Sequence, residues 1–155
     1  MTWAPVGQTP ILKLPNSWNK LSLIGGITPA GELFEDRLEG SVKAKDVVAF
    51  LRKVLSQIQG PVIAILDNAR IHKAHVVKDL LASEPRLSLE HTPPYAPECN
   101  PIEWLWSWGK RTEITNLCPK SLGELHHGWN RVFTHLRHNK ALIQSFFKAS
   151  ALRQC

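Results

Sequence analysis

Two carboxylates in this 155-residue chain stand where an α/β fold delivers side chains to a cleft: Asp67 and Glu103, with 35 residues between them. Asp67 follows the aliphatic run VIAIL directly, which places it at the carboxyl end of a strand. Open α/β sheets put their ligand sites at that end. Glu103 completes Asn100-Pro101-Ile102-Glu103 at the start of a helix. Side chains at two such ends can converge on one cleft, where a carboxylate pair could bind a ligand or act on it. Each position also has a plain structural reading. Asp67 suits the N-cap of a helix beginning near Arg70. Asn, Pro and Glu at the cap, first and third helical positions make a capping-box-like start.

Other reactive side chains give weaker patterns. His126 and His127 are adjacent rather than one turn apart, and His72 and His75 have no cysteine beside them. Cys99, Cys118 and Cys155 are odd in number and irregularly spaced, which suggests neither a disulfide framework nor a zinc site and reads as ordinary reduced thiols. His72 could orient Asp67 or a phosphate, or simply pack. Trp104, Trp106 and Trp108 cannot share one helix face, so at least one points away from the core, as edge packing or as a platform for an unpaired base.

The elements that must position these groups follow from hydrophobic period. Residues 1–19 hold Pro5, Pro10 and Pro15 with no clean period, and read as an irregular lead-in. KLSLIGGIT (20–28) and ELFEDRLEG (32–40) read as strands of an antiparallel hairpin, joined by Pro29-Ala30-Gly31. Val47, Val48, Leu51, Val54, Leu55 and Ile58 form one apolar helix face, stopped by Gly60-Pro61. VIAIL is continuous enough to predict a strand buried on both faces. Helical spacing returns over 70–83, a short strand alternates over 86–91, and a proline-rich loop covers 92–97. Pro101 opens a helix expected to reach Thr115, and two more helices centre on Trp129 and Phe146. Hairpin, helix, strand, helix, strand and helices predict an α/β domain with a mixed sheet. One domain is expected over 1–155, with a core over 20–115 and C-terminal helices over 116–155.

Charge points to a partner. The net charge is +6, and the chain up to Glu103 holds eleven basic and eleven acidic side chains. From Trp104 onward eight Lys and Arg face two Glu, so the whole excess lies in the last third. That placement fits a polyanion gripped by the C-terminal part, or a merely soluble basic surface. No apolar run approaches a membrane span and no secretory leader is legible, so cytoplasmic residence is the expectation.

Leu66-Asp67-Asn68-Ala69-Arg70-Ile71-His72, followed by Pro94-Tyr95-Ala96-Pro97-Glu98-Cys99-Asn100-Pro101-Ile102-Glu103, resembles the paired motifs of mariner-like bacterial insertion-sequence transposases of the DDE superfamily. The separation of Asp67 from Glu103 is similar to the family's second-to-third carboxylate spacing. Trp3-Ala4-Pro5-Val6-Gly7-Gln8-Thr9-Pro10 and Gly25-Gly26-Ile27 resemble its earlier signatures, so the likeness covers nearly the whole chain.

The resemblance implies a ribonuclease H-like mixed sheet flanked by helices, and an Asp-Asp-Glu triad holding two Mg²⁺ or Mn²⁺ ions. In-line attack on a phosphodiester builds charge on the entering and leaving oxygens, which two such ions roughly 4 Å apart can stabilise. Hard cations call for Asp and Glu ligands. Asp67 and Glu103 are then the catalytic and metal-binding residues. Asn68, Arg70, His72, Lys110 and Arg111 are candidate DNA contacts.

The family's first Asp and first strand precede the segment that begins here at Trp3, so both are expected to be missing, as is the family's end-reading helix-turn-helix. Glu32, Glu35 and Asp36 lie on a hairpin strand that resembles a non-catalytic one. The expected function is metal-dependent DNA strand cleavage and transfer in transposition, with this chain inactive by itself. The alternatives are a non-catalytic remnant that binds DNA or pairs with transposase, and a stand-alone nuclease. Expected partners are transposon-end and target DNA and either a second copy or an upstream-encoded transposase segment, with no membrane. Nucleoid association follows from the DNA partner.

Overall fold

The computed structural model describes residues 20–114, 119 and 121–153. The chain opens with an antiparallel hairpin, β1 (Leu21–Ile27) and β2 (Leu33–Glu39), with Ile24 opposite Asp36. Its turn is set by Gly31 at φ +85°, where a Cβ would also lie 2.8 Å from the carbonyl oxygen of Lys140. Only glycine both adopts that backbone and lets the hairpin tip lie against the C-terminal helices.

Helix α1 (Ala44–Gln57) begins where Asp46 reaches back to accept from the Lys43 amide at 2.8 Å. It ends under Arg86, whose guanidinium donates to the carbonyls of Leu55, Ile58 and Gly60 at 2.9, 3.1 and 3.3 Å. A cation on those otherwise unpaired carbonyls fixes the helix end and opposes its dipole. The chain then runs through β3 (Val62–Leu66), a 3-10 turn (Arg70–Lys73), α2 (His75–Ser83) and β4 (Leu87–His91), which pairs parallel to β3. The helical stretch expected over 70–83 is therefore broken at Ala74, whose ψ of 155° is extended.

The expected single mixed sheet is not what the described residues form. Their four strands make two separate two-stranded sheets, β1–β2 and β3–β4. One helix covers both: Phe50 and Val54 of α1 pack on Phe34 and Ile24 of the hairpin, while Val47, Leu51 and Leu55 pack with Val62, Ala64, Leu87 and Leu89 of the parallel pair. Burial of β3 on both faces is corrected too. Ile63 is 67% exposed and Ile65 37%, because α1 and α2 cover one face of the β3–β4 pair and no described element covers the other.

The C-terminal third supplies the other core. Helices α3 (Pro101–Thr112), α4 (Leu122–Arg137) and α5 (Lys140–Ala149) bury Leu105, Val132, Phe133, Leu136 and Ile143 completely. Leu21, Leu23, Ile27 and Leu33 of the hairpin complete this cluster. The N-caps Ser121 and Asn139 accept from Glu124 and Leu142 amides at 3.2 and 3.0 Å, so α4 and α5 start where local chemistry favours it. Thr115, the expected end of the third helix, lies outside the described residues, as does the lead-in. Cys99 is buried, 4% exposed, and Cys118 and Cys155 lie outside the described residues. No described helix is long and apolar enough to cross a membrane.

Candidate active site at the carboxyl end of the parallel strands

Asp67 is the first residue beyond β3, and the end of β4 grips it. The Thr92 amide donates to the Leu66 carbonyl at 2.9 Å, and Nδ2 of Asn68 donates to the Thr92 carbonyl at 2.6 Å. His91 Nδ1 stands 3.0 Å from the Asp67 carbonyl oxygen. These contacts hold the backbone of the turn, which leaves the Asp67 side chain, 58% exposed, to face outward. Its Oδ1 accepts from the Ala69 amide at 2.9 Å, closing a turn across two residues. Asp67 does not cap the following 3-10 turn, whose N-cap position is Ala69 with no side-chain bond.

His72 belongs to the same cluster. Its Nε2 lies 3.1 Å from Asp67 Oδ1, and its side chain is 15% exposed. Nδ1 is buried with no hydrogen-bond partner. Burial pushes the imidazole below its ordinary value of 6.5; the Asp67 carboxylate opposes the shift, and His91 adds to it. Of the five proposed DNA contacts, His72 therefore faces the carboxylate. Asn68 ties the two strand ends together and accepts from Lys73 Nζ at 2.8 Å. Arg70 is exposed beside them.

Glu103 sits in the first turn of α3. The cap is made by Asn100, whose side-chain oxygen accepts from the Ile102 amide at 3.3 Å. The Asn100 amide that a capping-box glutamate would occupy donates instead to the Pro97 carbonyl at 3.0 Å. Glu103 is exposed, and its carboxylate has no hydrogen bond or ion pair among the described residues. The structural explanation for a glutamate at this position is thus not used. Lys110 and Arg111 are exposed in the last turn of the same helix. Trp104 is 41% exposed, while Trp106 and Trp108 pack into the C-terminal core, as three indoles at alternate helix positions must divide.

The structure thus brings Asp67, Asn68 and His72 together with Lys73, His91 and Thr92, and places Glu103, Lys110 and Arg111 on a separate helix. Sequence reading did not single out His91. Its signal was available: in parallel register Leu66 pairs with His91, so the residue ending the second strand adjoins the residue after the first. Tyr95, in the loop between β4 and α3, is fully exposed with φ 60°, a left-handed conformation rare for a bulky residue. Among the described residues no three His, Cys, Asp or Glu side chains are grouped closely enough to hold a metal ion by themselves.

Fold and site together define an α/β protein with a carboxylate at the carboxyl end of a parallel strand pair and a second, unengaged carboxylate at the start of a following helix. A family model described as DDE superfamily endonuclease matches residues 1–126, a stretch that contains both carboxylates. The chain belongs to that family. A comparison with curated proteins finds no match.

Proposed function

We propose that this chain is the catalytic part of a transposase of the mariner-like, insertion-sequence kind, and that Asp67 and Glu103 bind the divalent metal used in cutting and joining DNA. The observation that carries the reading is the unspent acceptor capacity of the two carboxylates. Glu103 is released from capping by Asn100, and Asp67 keeps Oδ2 without a hydrogen-bond partner among the described residues. Exposed carboxylates with unspent acceptor capacity at element ends suit a ligand that brings positive charge.

The donor set fits Mg²⁺ or Mn²⁺. Such ions prefer oxygen, keep several waters, and commonly take one or two carboxylates plus substrate phosphate oxygens. Two carboxylates therefore fit a site that DNA helps to complete. When bound, the metal supplies charge stabilisation for in-line displacement at phosphorus. The protein's own groups do the rest. The Asn68–Thr92 and His91–Asp67 contacts fix the strand ends, and the capped helix holds Glu103 in its first turn. Arg70, Lys110 and Arg111 offer positive charge to backbone phosphates, which position DNA without reading its sequence. A ribonuclease H-like arrangement is our reading of the hairpin followed by a parallel pair beneath one helix.

Calorimetric titration of the full chain with Mn²⁺ tests this. Weak binding that Asp67→Ala abolishes and Glu103→Ala reduces is expected. Binding untouched by both substitutions places the metal elsewhere and leaves a DNA-binding or transposase-pairing role.

A further inference from the structure

We propose that the groove between the end of α3 and the outer face of α4 docks phosphate groups of the DNA backbone, with Arg131, Asn130 and Thr134 as donors and Glu113 as the counterion that phosphate replaces. The inference rests on the DNA-acting reading above and deepens it by giving the backbone a specific seat.

Four observations carry it. First, the groove is open and long. Its volume is about 650 Å³, and it is lined by Glu113, His127, Asn130, Arg131, Thr134 and His135. The five α4 residues recur at spacings of three and four, so they share one helix face, and from His127 to His135 that face runs roughly 12 Å. One strand of duplex DNA carries a phosphate about every 3.4 Å of axis, so the face meets a run of backbone rather than a single ion.

Second, the lining is rich in donors. No acidic side chain occurs between Leu125 and His138. Asn130 Oδ1 accepts from Arg37 Nη1 at 2.5 Å, which leaves Nδ2 as the atom of that amide able to donate elsewhere. Neither Nδ2 nor Thr134 Oγ1 has a hydrogen-bond partner among the described residues. Guanidinium, amide and hydroxyl donors are the groups that commonly hold backbone phosphates.

Third, the one carboxylate in the lining is loosely engaged. Glu113 stands 3.9 Å from Arg131 Nε and 3.7 Å from His135 Nδ1, beyond hydrogen-bond reach. The Arg131 side chain is 58% exposed. A phosphate can approach a guanidinium to about 2.7–2.9 Å through two parallel hydrogen bonds, a stronger contact than Glu113 makes. Glu113, His127 and His135 are not grouped closely enough to hold a metal ion, so an anion is the ligand that suits the groove. Fourth, Glu113 is the C-cap of the helix that carries Glu103 in its first turn. The two are roughly 15 Å apart along the axis. A duplex held in the groove therefore reaches Glu103 within about four base-pair steps.

Fluorescence anisotropy of a labelled duplex with the full chain, read across a salt series, tests the groove. Arg131→Gln should weaken binding and flatten the slope of log affinity against log salt by about 0.9, one phosphate contact. Glu113→Gln should tighten binding about two- to five-fold, the scale of one exposed charge pair. Asn130→Asp keeps the acceptor for Arg37 and replaces the donor by a carboxylate oxygen, so DNA affinity should fall while the melting temperature holds. Arg52→Gln, on α1 and outside the groove, removes the same charge and should leave the slope unchanged.

Equal effects of Arg131→Gln and Arg52→Gln would reduce the result to net charge and overturn the proposal. So would a folded Glu113→Gln variant that binds DNA no tighter than wild type. Titration with inorganic phosphate at constant ionic strength separates two sources of the same chemistry. A groove for free phosphate would lose that ion in Arg131→Gln and keep its DNA affinity, which also overturns the assignment. If the wild-type chain binds no DNA at all, the functional reading fails and this inference with it. Should Arg131→Gln not fold, the Glu113→Gln and Asn130→Asp affinities decide.

Discussion

Gly25 of β1 lies directly beneath the indole of Trp106 on α3: a Cβ placed on this glycine would come within 2.7 Å of Cζ2 and Cη2. Trp106 in turn packs edge-on against Trp129 at 5.5 Å and Phe133 at 6.3 Å. The helix that carries Glu103 is thus seated on the hairpin through a position with no room for a side chain. Gly25→Ala should lower stability by about 1–3 kcal/mol, the usual cost of overpacking a filled core. Gly25→Ala with Trp106→Leu should recover part of that loss. Urea midpoints of the single and double variants check this; an unchanged midpoint for Gly25→Ala would show that the indole moves aside freely.

Glu35 joins the hairpin to α4. Its carboxylate is 10% exposed and meets Arg37 at 3.2 Å and Arg137 at 2.7 Å. Arg37 also lies over the Phe133 ring, 5.1 Å from its centroid. Glu35→Ala would leave two guanidinium groups near one another with their shared anion gone. A loss of about 2–4 kcal/mol is expected, somewhat below the roughly 3–5 kcal/mol for breaking a fully buried pair from one side, because the Arg137 side chain is half exposed. Added salt should reduce the deficit, since part of it is repulsion between the arginines. A deficit that ignores salt would locate the cost in packing instead.

The depressed His72 titration links stability to pH. A histidine whose folded value lies below 6.5 binds its proton less readily in the folded protein than in the unfolded chain. Stability is therefore full above the unfolded value and falls as pH drops through it toward the folded value. Between pH 7.5 and 5, wild type should lose more unfolding free energy than His72→Gln, which has nothing to titrate there. Denaturant midpoints for the two proteins across that range provide the check, and parallel curves would remove His72 as the source.

On the proposed function, DNA binding should be indifferent to sequence and carried mostly by the basic final third. Affinity should fall linearly with salt on logarithmic axes, with a slope of about −0.9 per phosphate contacted on duplex DNA. Substituting Lys110 or Arg111 by Gln should flatten that slope by about one contact each. Fluorescence anisotropy with two unrelated duplexes measures both properties. A strong preference for one duplex, or an affinity that does not respond to salt, would contradict the expectation.

Much of the architecture is local and was legible in the chain. The hairpin over 20–40 follows from two strand-like runs and a Pro-Ala-Gly turn. The face of α1 follows from apolar spacing at three and four, and the start of α3 from Asn100 before Pro101. Each depends on backbone geometry within a few residues. The family resemblance was legible for a related reason, since its two motifs are continuous stretches around Asp67 and Glu103, and residues 1–126 do match a DDE superfamily endonuclease model. What tertiary structure decided is which local possibility each residue uses. An aliphatic run such as VIAIL cannot say how many of its faces are covered, and Ile63 proves largely exposed. Glu103 was equally suited to capping or to a ligand until the Asn100 amide turned to Pro97. His91 reached Asp67 through parallel register with β3, and the break at Ala74 accompanies a 3-10 turn that places His72 beside that carboxylate. These outcomes depend on contacts between distant parts of the chain, where burial and partner geometry decide among conformations that local sequence leaves nearly equal.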